Sequence, residues 1–178
     1  MPTTQQAFSR DANRVPITQN GLLVTKSYTF ISTGTLVIPI FTVTGAVELL
    51  ALYGIVTTAL AANHRVGAFR LNDQNAVVQI TNATGPTMDS APIGSIITAD
   101  VLLATAATFT SSANGAVMQP AAVQQQIFSP SILVQKAGTT DLTNIEYRFT
   151  SSTNPTTGAM KFYCGFVPIS DDGNITAV

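Results

Sequence analysis

The C-terminal part of the chain contains two segments in which apolar and polar residues alternate one by one. Because side chains along a β-strand point to opposite faces in turn, such a period of two predicts a strand with one buried face. Residues 151–158, which contain Asn154 and Pro155, form the expected loop between these two strands. The residues expected to point inward are Ile145, Tyr147 and Phe149 in the first segment and Met160, Phe162, Cys164 and Phe166 in the second.

Runs of β-branched and aromatic residues fill most of the chain from Gly21 onward, and Gly, Pro, Asn and Ser separate them. This composition is typical of many short strands joined by turns. About eight to ten strands without a strong amphipathic helix predict an all-β fold, an antiparallel β-sandwich of jelly-roll type with an extended N-terminal arm. We expect strands at 22–31, 35–44 and 46–60, and the last of these is expected to bend at Gly54. Residues 65–71 and 76–82 are expected to form a hairpin. A further strand is expected within 93–109, where alanine-rich stretches also allow a short helix, and a turn is expected at 113–115.

The 178 residues fit one domain, because a chain of this length buries roughly two-thirds of its unfolded surface in a single core. Residues 1–20 are largely polar and show no sustained period of two or 3.6 residues. We therefore divide the chain into an extended N-terminal arm, residues 1–20, and a β-sandwich domain, residues 21–178. The opening residues do not form a secretory signal, so we expect synthesis in a cytoplasm.

Charge is scarce in this sequence. Charged residues make up 10% of it, against about 25% in typical soluble proteins, while 46% are hydrophobic. A folded monomer of 18.6 kDa exposes roughly 8,000 Å², over which 8 basic and 9 acidic side chains are spread thinly. A net charge of −1 adds little repulsion between copies, so we expect the chain to associate with copies of itself. Nucleic acid is not an expected partner, since its binding requires clustered Lys and Arg.

Residues 36–62 are long and apolar enough to be considered as a membrane-spanning helix. Pro39, Glu48 and several threonines interrupt the segment, and its N-terminal side lacks a cationic flank. These features fit a membrane helix poorly, so we expect no membrane contact.

The run from Val47 to Tyr53 is expected to form a strand that is buried on both faces, either at the centre of a sandwich or in an interface covered by protein. Glu48 lies within this run, and burying a carboxylate without a partner costs several kcal/mol. Two alternatives stay open. Either Arg70 or Arg148 pairs with Glu48, or Glu48 lies at a solvated or subunit-facing strand edge.

The sequence predicts no catalytic, metal or cofactor site, and we expect a protein that is not an enzyme. His64, the only histidine, is expected in a solvated loop, because no Gly-x-Ser-x-Gly motif accompanies it. Asp171 and Asp172 are expected to form a turn, since they carry only a fragment of a calcium-loop pattern. Cys164, the only cysteine, is expected to be buried in its strand. Glycine motifs for dinucleotides or phosphates do not occur.

The string Phe8-Ser9-Arg10-Asp11-Ala12-Asn13-Arg14-Val15-Pro16-Ile17 resembles an opening of tailed-bacteriophage structural proteins, in which Arg-Asp-x-Asn-Arg-Val-Pro leads a β-rich body. Residues 39–47 followed by 54–58, and the terminal stretch 166–173, also resemble virion proteins of this type. The resemblance implies a capsid decoration, or cement, protein that assembles as a homodimer or homotrimer on the exterior of the capsid and bridges major capsid subunits. We expect the arm to contact the major capsid protein through Phe8, Arg10, Asp11, Arg14, Val15 and Pro16.

Two other virion roles stay open. The first is a tail-fibre or spike module that recognises a host-surface glycan, although the chain has no Trp and four Tyr with which to stack sugars. The second is a tail tube or baseplate component, in which β-sandwiches stack by sheet extension.

Overall fold

The computed structural model describes residues 21–31, 34–62, 64–73, 76–81, 87–99, 108–110, 131–135, 142–151 and 157–178. Within these ranges the chain forms eleven strands and no helix, which confirms the all-β prediction. The arm residues Phe8, Arg10, Asp11, Arg14, Val15 and Pro16 and the predicted turn at 113–115 lie outside the described residues. The strands are β1 (Leu22–Thr29), β2 (Gly34–Thr44), β3 (Ala46–Thr58), β4 (His64–Asn72), β5 (Val77–Gln79), β6 (Ile96–Thr98), β7 (Thr108–Thr110), β8 (Ser131–Val134), β9 (Thr143–Ser151), β10 (Ala159–Pro168) and β11 (Asn174–Ala177).

The strands form two antiparallel sheets. The first sheet has the order β1-β10-β3-β6-β7, and β8 also pairs with β3, beside its N-terminal end. The second sheet has the order β11-β2-β9-β4-β5. The pairing is nested along the chain, because β1 pairs with β10, β2 with β9, β3 with β6 and β8, and β4 with β5.

The chain changes sheets sharply at Gly45, the single residue between β2 and β3. Its φ of +56° lies in the left-handed region, which glycine adopts without a steric penalty. A Cβ at this position would also collide with the side chains of Asp172 and Ser170. Glycine is therefore required where the second sheet connects to the first.

The inward faces of both sheets share one hydrophobic core. Tyr147 of β9 and Phe162 of β10 meet across the core with ring centroids 4.9 Å apart, and Phe69 of β4 contacts Phe162 edge to face at 6.3 Å. The residues that alternation predicted to point inward are all buried, which confirms the two C-terminal strands and the sandwich-like packing of two sheets. They are Ile145, Tyr147, Phe149, Met160, Phe162, Cys164 and Phe166.

Most of the other predicted strands occur, with different details. The hairpin of β4 and β5 is present, and Ala76 N–H donates to Asp73 Oδ1 in its turn. The predicted bend at Gly54 is wrong, because Gly54 pairs regularly with Phe162 and the two irregularities in β3 lie at Leu50 and Thr57. Gly54 instead permits close packing, since a Cβ there would lie 2.8 Å from Met160 Cε.

Residues 36–58, within the segment considered as a membrane helix, form most of β2 and β3 apart from the Gly45 corner. Among the described residues, no helix is long and apolar enough to cross a membrane.

Candidate interaction surface

The outer face of the first sheet is largely apolar. Met160, Phe162 and Cys164 of β10 point into the core, so Lys161, Tyr163 and Val167 point away from it. Directly opposed residues of antiparallel strands share a face, which places the outward residues of the neighbouring strands beside them. We call this surface the outer apolar face. It consists of Leu23, Thr25 and Ser27 on β1, Lys161, Tyr163, Gly165 and Val167 on β10, Ala46, Glu48, Leu50, Ala51, Tyr53 and Ile55 on β3, Ile96 and Thr98 on β6, and Ile132 and Val134 on β8.

The rim of the outer apolar face carries strongly exposed aliphatic side chains. Leu23 is 61% exposed, Ile132 61% and Val134 59%. The central members, including Leu50, Tyr53 and Ile55, are partly buried. Contiguous apolar patches of this kind on soluble proteins mark interaction sites, since they gain free energy when another surface covers them.

Two tyrosines lie at the centre of this face. Tyr53 on β3 is directly opposite Tyr163 on β10, and their rings stack with centroids 4.8 Å apart and planes 8° apart. Lys161 Nζ lies 5.4 Å from the centroid of the Tyr163 ring, within the range of a cation–π contact. Partial burial, and then the Tyr163 phenol, raise the pKa of Tyr53. The pair forms a flat aromatic platform on the sheet.

Among the described residues, Glu48 and Lys161 are the charged members of the outer apolar face, and they lie towards opposite ends of it. Glu48 pairs in register with Val167, and Lys161 with Ile55. The predicted pairing of Glu48 with Arg70 or Arg148 is wrong, because both arginines belong to the second sheet. The prediction that β3 is buried on both faces is confirmed for its inner side; on its outer side Glu48 and Leu50 are partly buried within the chain, and covering of that side by another protein stays a prediction. Glu48 lies on a central strand, not at a strand edge.

The outer face of the second sheet has the opposite character. Arg70 Nε donates to Glu146 Oε2 at 2.6 Å, and Asn72 Nδ2 donates to Glu146 Oε1 at 2.9 Å. Thr42 Oγ1 donates to Asn144 Oδ1 on the neighbouring strand at 2.9 Å. These residues satisfy each other's hydrogen bonds within the sheet. The two outer faces therefore differ in polarity.

His64 is not in a solvated loop, and that prediction is wrong. It begins β4 and is fully buried, with its ring stacked on Phe149 and edge-on to Phe30. Its Nε2 lies 3.4 Å from the hydroxyl of Tyr147, which donates to Met88 Sδ. Burial lowers the pKa of His64 to about 4, so the ring is neutral at pH 7. His64 is a core residue and does not face solvent.

Two other predictions are confirmed. Cys164 is buried among apolar neighbours, and burial raises the pKa of its thiol to about 12. Asp171 and Asp172 lie in the turn between β10 and β11, where Gly173 N–H donates to the carbonyl of Ser170 and Ser170 Oγ donates to Asp172 Oδ1. In the ranges that the structure describes, no group of three or more His, Cys, Asp or Glu residues could hold a metal ion.

Sequence reasoning expected apolar strand faces to mediate self-association but did not identify the members of the outer apolar face. It missed β8 entirely, although Ile132, Leu133 and Val134 form a short apolar run. That run was the available signal, and its pairing with β3 could not be read from the sequence.

Comparison of the chain with protein-family models, with curated proteins and with solved structures gave no match. The outer apolar face and its contrast with the second sheet are therefore the main basis for a functional proposal.

Proposed function

We propose that this chain is a non-enzymatic capsid decoration protein of a tailed bacteriophage, which oligomerises through its β-sandwich and stabilises the head by bridging major capsid subunits. The observation that carries the proposal is the outer apolar face, with Leu23, Ile132 and Val134 exposed at its rim. A protein that binds to a capsid and to copies of itself needs an exposed apolar face of this kind and does not need a catalytic group. Synthesis in the host cytoplasm and location on the capsid exterior complete the proposal.

We further propose that the fold is a jelly roll. The nested pairs β1/β10, β2/β9, β3/β8 and β4/β5 form a long antiparallel ribbon. The pairs β10/β3 and β9/β4 arise when such a ribbon is rolled on itself, and this gives two sheets with four of these strands in each. Jelly rolls of eight strands are common in viral capsid proteins, which supports the virion role by analogy of fold.

The physical basis of the role is mass action. If each copy covers about 1,000 Å² or more of surface in contacts with its neighbours, binding stabilises the assembled shell over its separated subunits. Many copies add their contributions, so a modest affinity for each contact is sufficient. The sequence of the arm, in which Arg10, Asp11 and Arg14 lie close together in a charge-poor chain, favours a polar contact with the major capsid protein.

The test is binding of the purified chain to phage heads that lack decoration. We expect saturable binding, and a higher temperature or force for disruption of decorated heads than of bare heads. Deletion of residues 2–19 is expected to abolish binding and to leave self-association intact. Unchanged occupancy by the deleted chain would refute the role of the arm, and absence of binding by the full chain would refute the decoration function.

The same preparation separates the alternatives. Rings or tubes of the isolated protein in electron micrographs would favour a tail tube or baseplate component. Binding of labelled protein to host cells would favour a receptor-binding module, for which the Tyr53–Tyr163 platform is the specific structural feature.

A further inference from the structure

We infer that the outer apolar face is the contact between two copies of this chain, which pack their first sheets face to face around a two-fold axis that passes close to Tyr53 and Tyr163. This inference rests on the self-association in the proposed function and adds the face, the stoichiometry and the register. A two-fold contact uses the same patch on both copies, so the outer apolar face must be complementary to itself.

The area of the face is sufficient for a stable dimer. Four neighbouring strand positions at about 4.8 Å spacing and about ten residues of length give roughly 600 Å² on each copy, or about 1,200 Å² in total. This total reaches the lower end of the range for specific interfaces. The tyrosine platform lies near the centre and the exposed aliphatic residues Leu23, Ile132 and Val134 lie at the rim, so the face has an aromatic centre of the kind that dominates binding energy.

The two charges of the face are arranged for mutual pairing. Glu48 on β3 is opposite Val167 on the neighbouring strand, β10. Lys161 lies on β10, six residues before Val167. A two-fold axis perpendicular to the line between Glu48 and Lys161 brings Lys161 of each copy opposite Glu48 of the other. Each dimer then contains two such pairs, and no like charges face each other.

The same axis meets two independent geometrical requirements. Its midpoint is one residue, about 3.4 Å, from the level of the Tyr53–Tyr163 pair, so the two platforms lie next to each other with an offset of about 7 Å along the strands. Because Glu48 and Lys161 are about 20 Å apart along the strands and about 4.8 Å apart across them, the strands of the two copies cross at about 27°. Sheets that pack face to face commonly cross at about 30°.

The test uses sedimentation velocity of the full chain, in which a dimer has twice the monomer mass of 18.6 kDa. Glu48→Lys and Lys161→Glu are each expected to raise the dissociation constant at least about tenfold, because each places like charges together. In the double variant, the dissociation constant is expected to return to near the wild-type value. Arg148→Glu, a charge reversal on the second sheet, is the matched control and is expected to leave the dimer unchanged.

A second measurement reports the face directly. A cysteine introduced by Tyr163→Cys lies near the axis and is expected to cross-link to its counterpart with a short bismaleimide, whereas Thr176→Cys on the outer face of the second sheet is not. Native Cys164 is buried and serves as the background in both variants. Thermal unfolding of each variant confirms that it is folded.

A monomeric or trimeric wild type, failure of the double charge reversal to restore the dimer, or equal cross-linking of both cysteine variants would overturn the inference. Failure of the proposed function gives a different result. A dimer that does not bind phage heads refutes the decoration role alone, and binding of heads by a monomer refutes the dimer alone.

Discussion

The imidazole ring of His64 lies parallel to the ring of Phe149, with centroids 4.6 Å apart and planes at 6°. No described residue forms a hydrogen bond with its Nδ1. Phe30 packs edge-on against both rings. The core thus holds a titratable ring in its neutral form, and stability depends on pH through this residue.

The pKa of His64 in the folded protein is about 4, below the 6.5 of an unfolded chain. The unfolded state therefore binds a proton between these values and the folded state does not, so the free energy of unfolding decreases as the pH falls below about 6.5. We expect the free energy of unfolding, measured by urea denaturation, to be about 2 kcal/mol lower at pH 5 than at pH 7 because of this group. Above pH 7 this residue contributes no further pH dependence.

His64→Phe is the control for this prediction, since it keeps an aromatic ring in the cluster and removes the titration. The difference in unfolding free energy between pH 7 and pH 5 should then be smaller than in the wild type by about 2 kcal/mol. Identical pH dependence of the two proteins would show that His64 is not held neutral in the core.

Gly67 lies between the sheets, where a Cβ would be 2.5 Å from Ile97 Cδ1, 2.6 Å from the Tyr147 hydroxyl and 3.0 Å from Met88 Sδ. Gly67→Ala is therefore expected to destabilise the fold by about 1–3 kcal/mol through overpacking. Gly165→Ala is the control on β10, because its nearest contact, Ala51 Cβ, is at an ordinary 3.5 Å; since Gly165 lies on the outer apolar face, both variants are measured at a concentration at which the chain is monomeric. Equal denaturation midpoints for the two variants, at the same protein concentration, would contradict the packing of the sheets described above.

The carboxylate of Glu146 is almost buried and accepts hydrogen bonds from Arg70 and Asn72. Arg70→Met removes the cation and leaves the Glu146 carboxylate with Asn72 as its hydrogen-bond donor. We therefore expect the free energy of unfolding to decrease by about 3 kcal/mol at pH 7. Glu146→Gln removes the charge itself and should cost less, about 1 kcal/mol. If chemical denaturation shows the glutamine variant to be the less stable of the two, the arginine does not compensate a buried charge.

Cys164 is buried, and the raised pKa of its thiol keeps it protonated at pH 8. Because the thiolate is the reactive form, we expect a disulfide reagent to label native protein at least about 100-fold more slowly than protein unfolded in guanidinium. The labelling rate is followed by absorbance. Fast labelling of the native chain would place Cys164 on the surface.

The sequence was sufficient for elements whose pattern is local. Strict alternation predicted β9 and β10 and the direction of Tyr147 and Phe162, because the period of a strand does not depend on its partners. The turn at Asp171 and Asp172 was likewise predicted from neighbouring turn-forming residues. The location of the arm contacts, from Phe8 to Pro16, stays a prediction.

The features that the sequence did not reveal depend on which strands meet. His64 is buried because Phe30 and Phe149, which are distant in sequence, enclose it. Arg70 pairs with Glu146 because β4 lies beside β9, and strand order is not encoded in local composition. The apolar sequence of a strand such as β3 indicates that both of its faces are buried. It does not show whether residues of the same chain or of a second copy bury them.

The nested pairing has a consequence for how the molecule forms. Leu22 at the start of β1 is paired in register with Phe166 of β10, so the first sheet is incomplete until β10 has been synthesised. Contacts so distant in sequence give a high contact order, for which folding in milliseconds to seconds is typical. The nascent chain would carry β3 with its β10 edge unpaired on the ribosome, and folding is expected to be completed only after β10 has emerged.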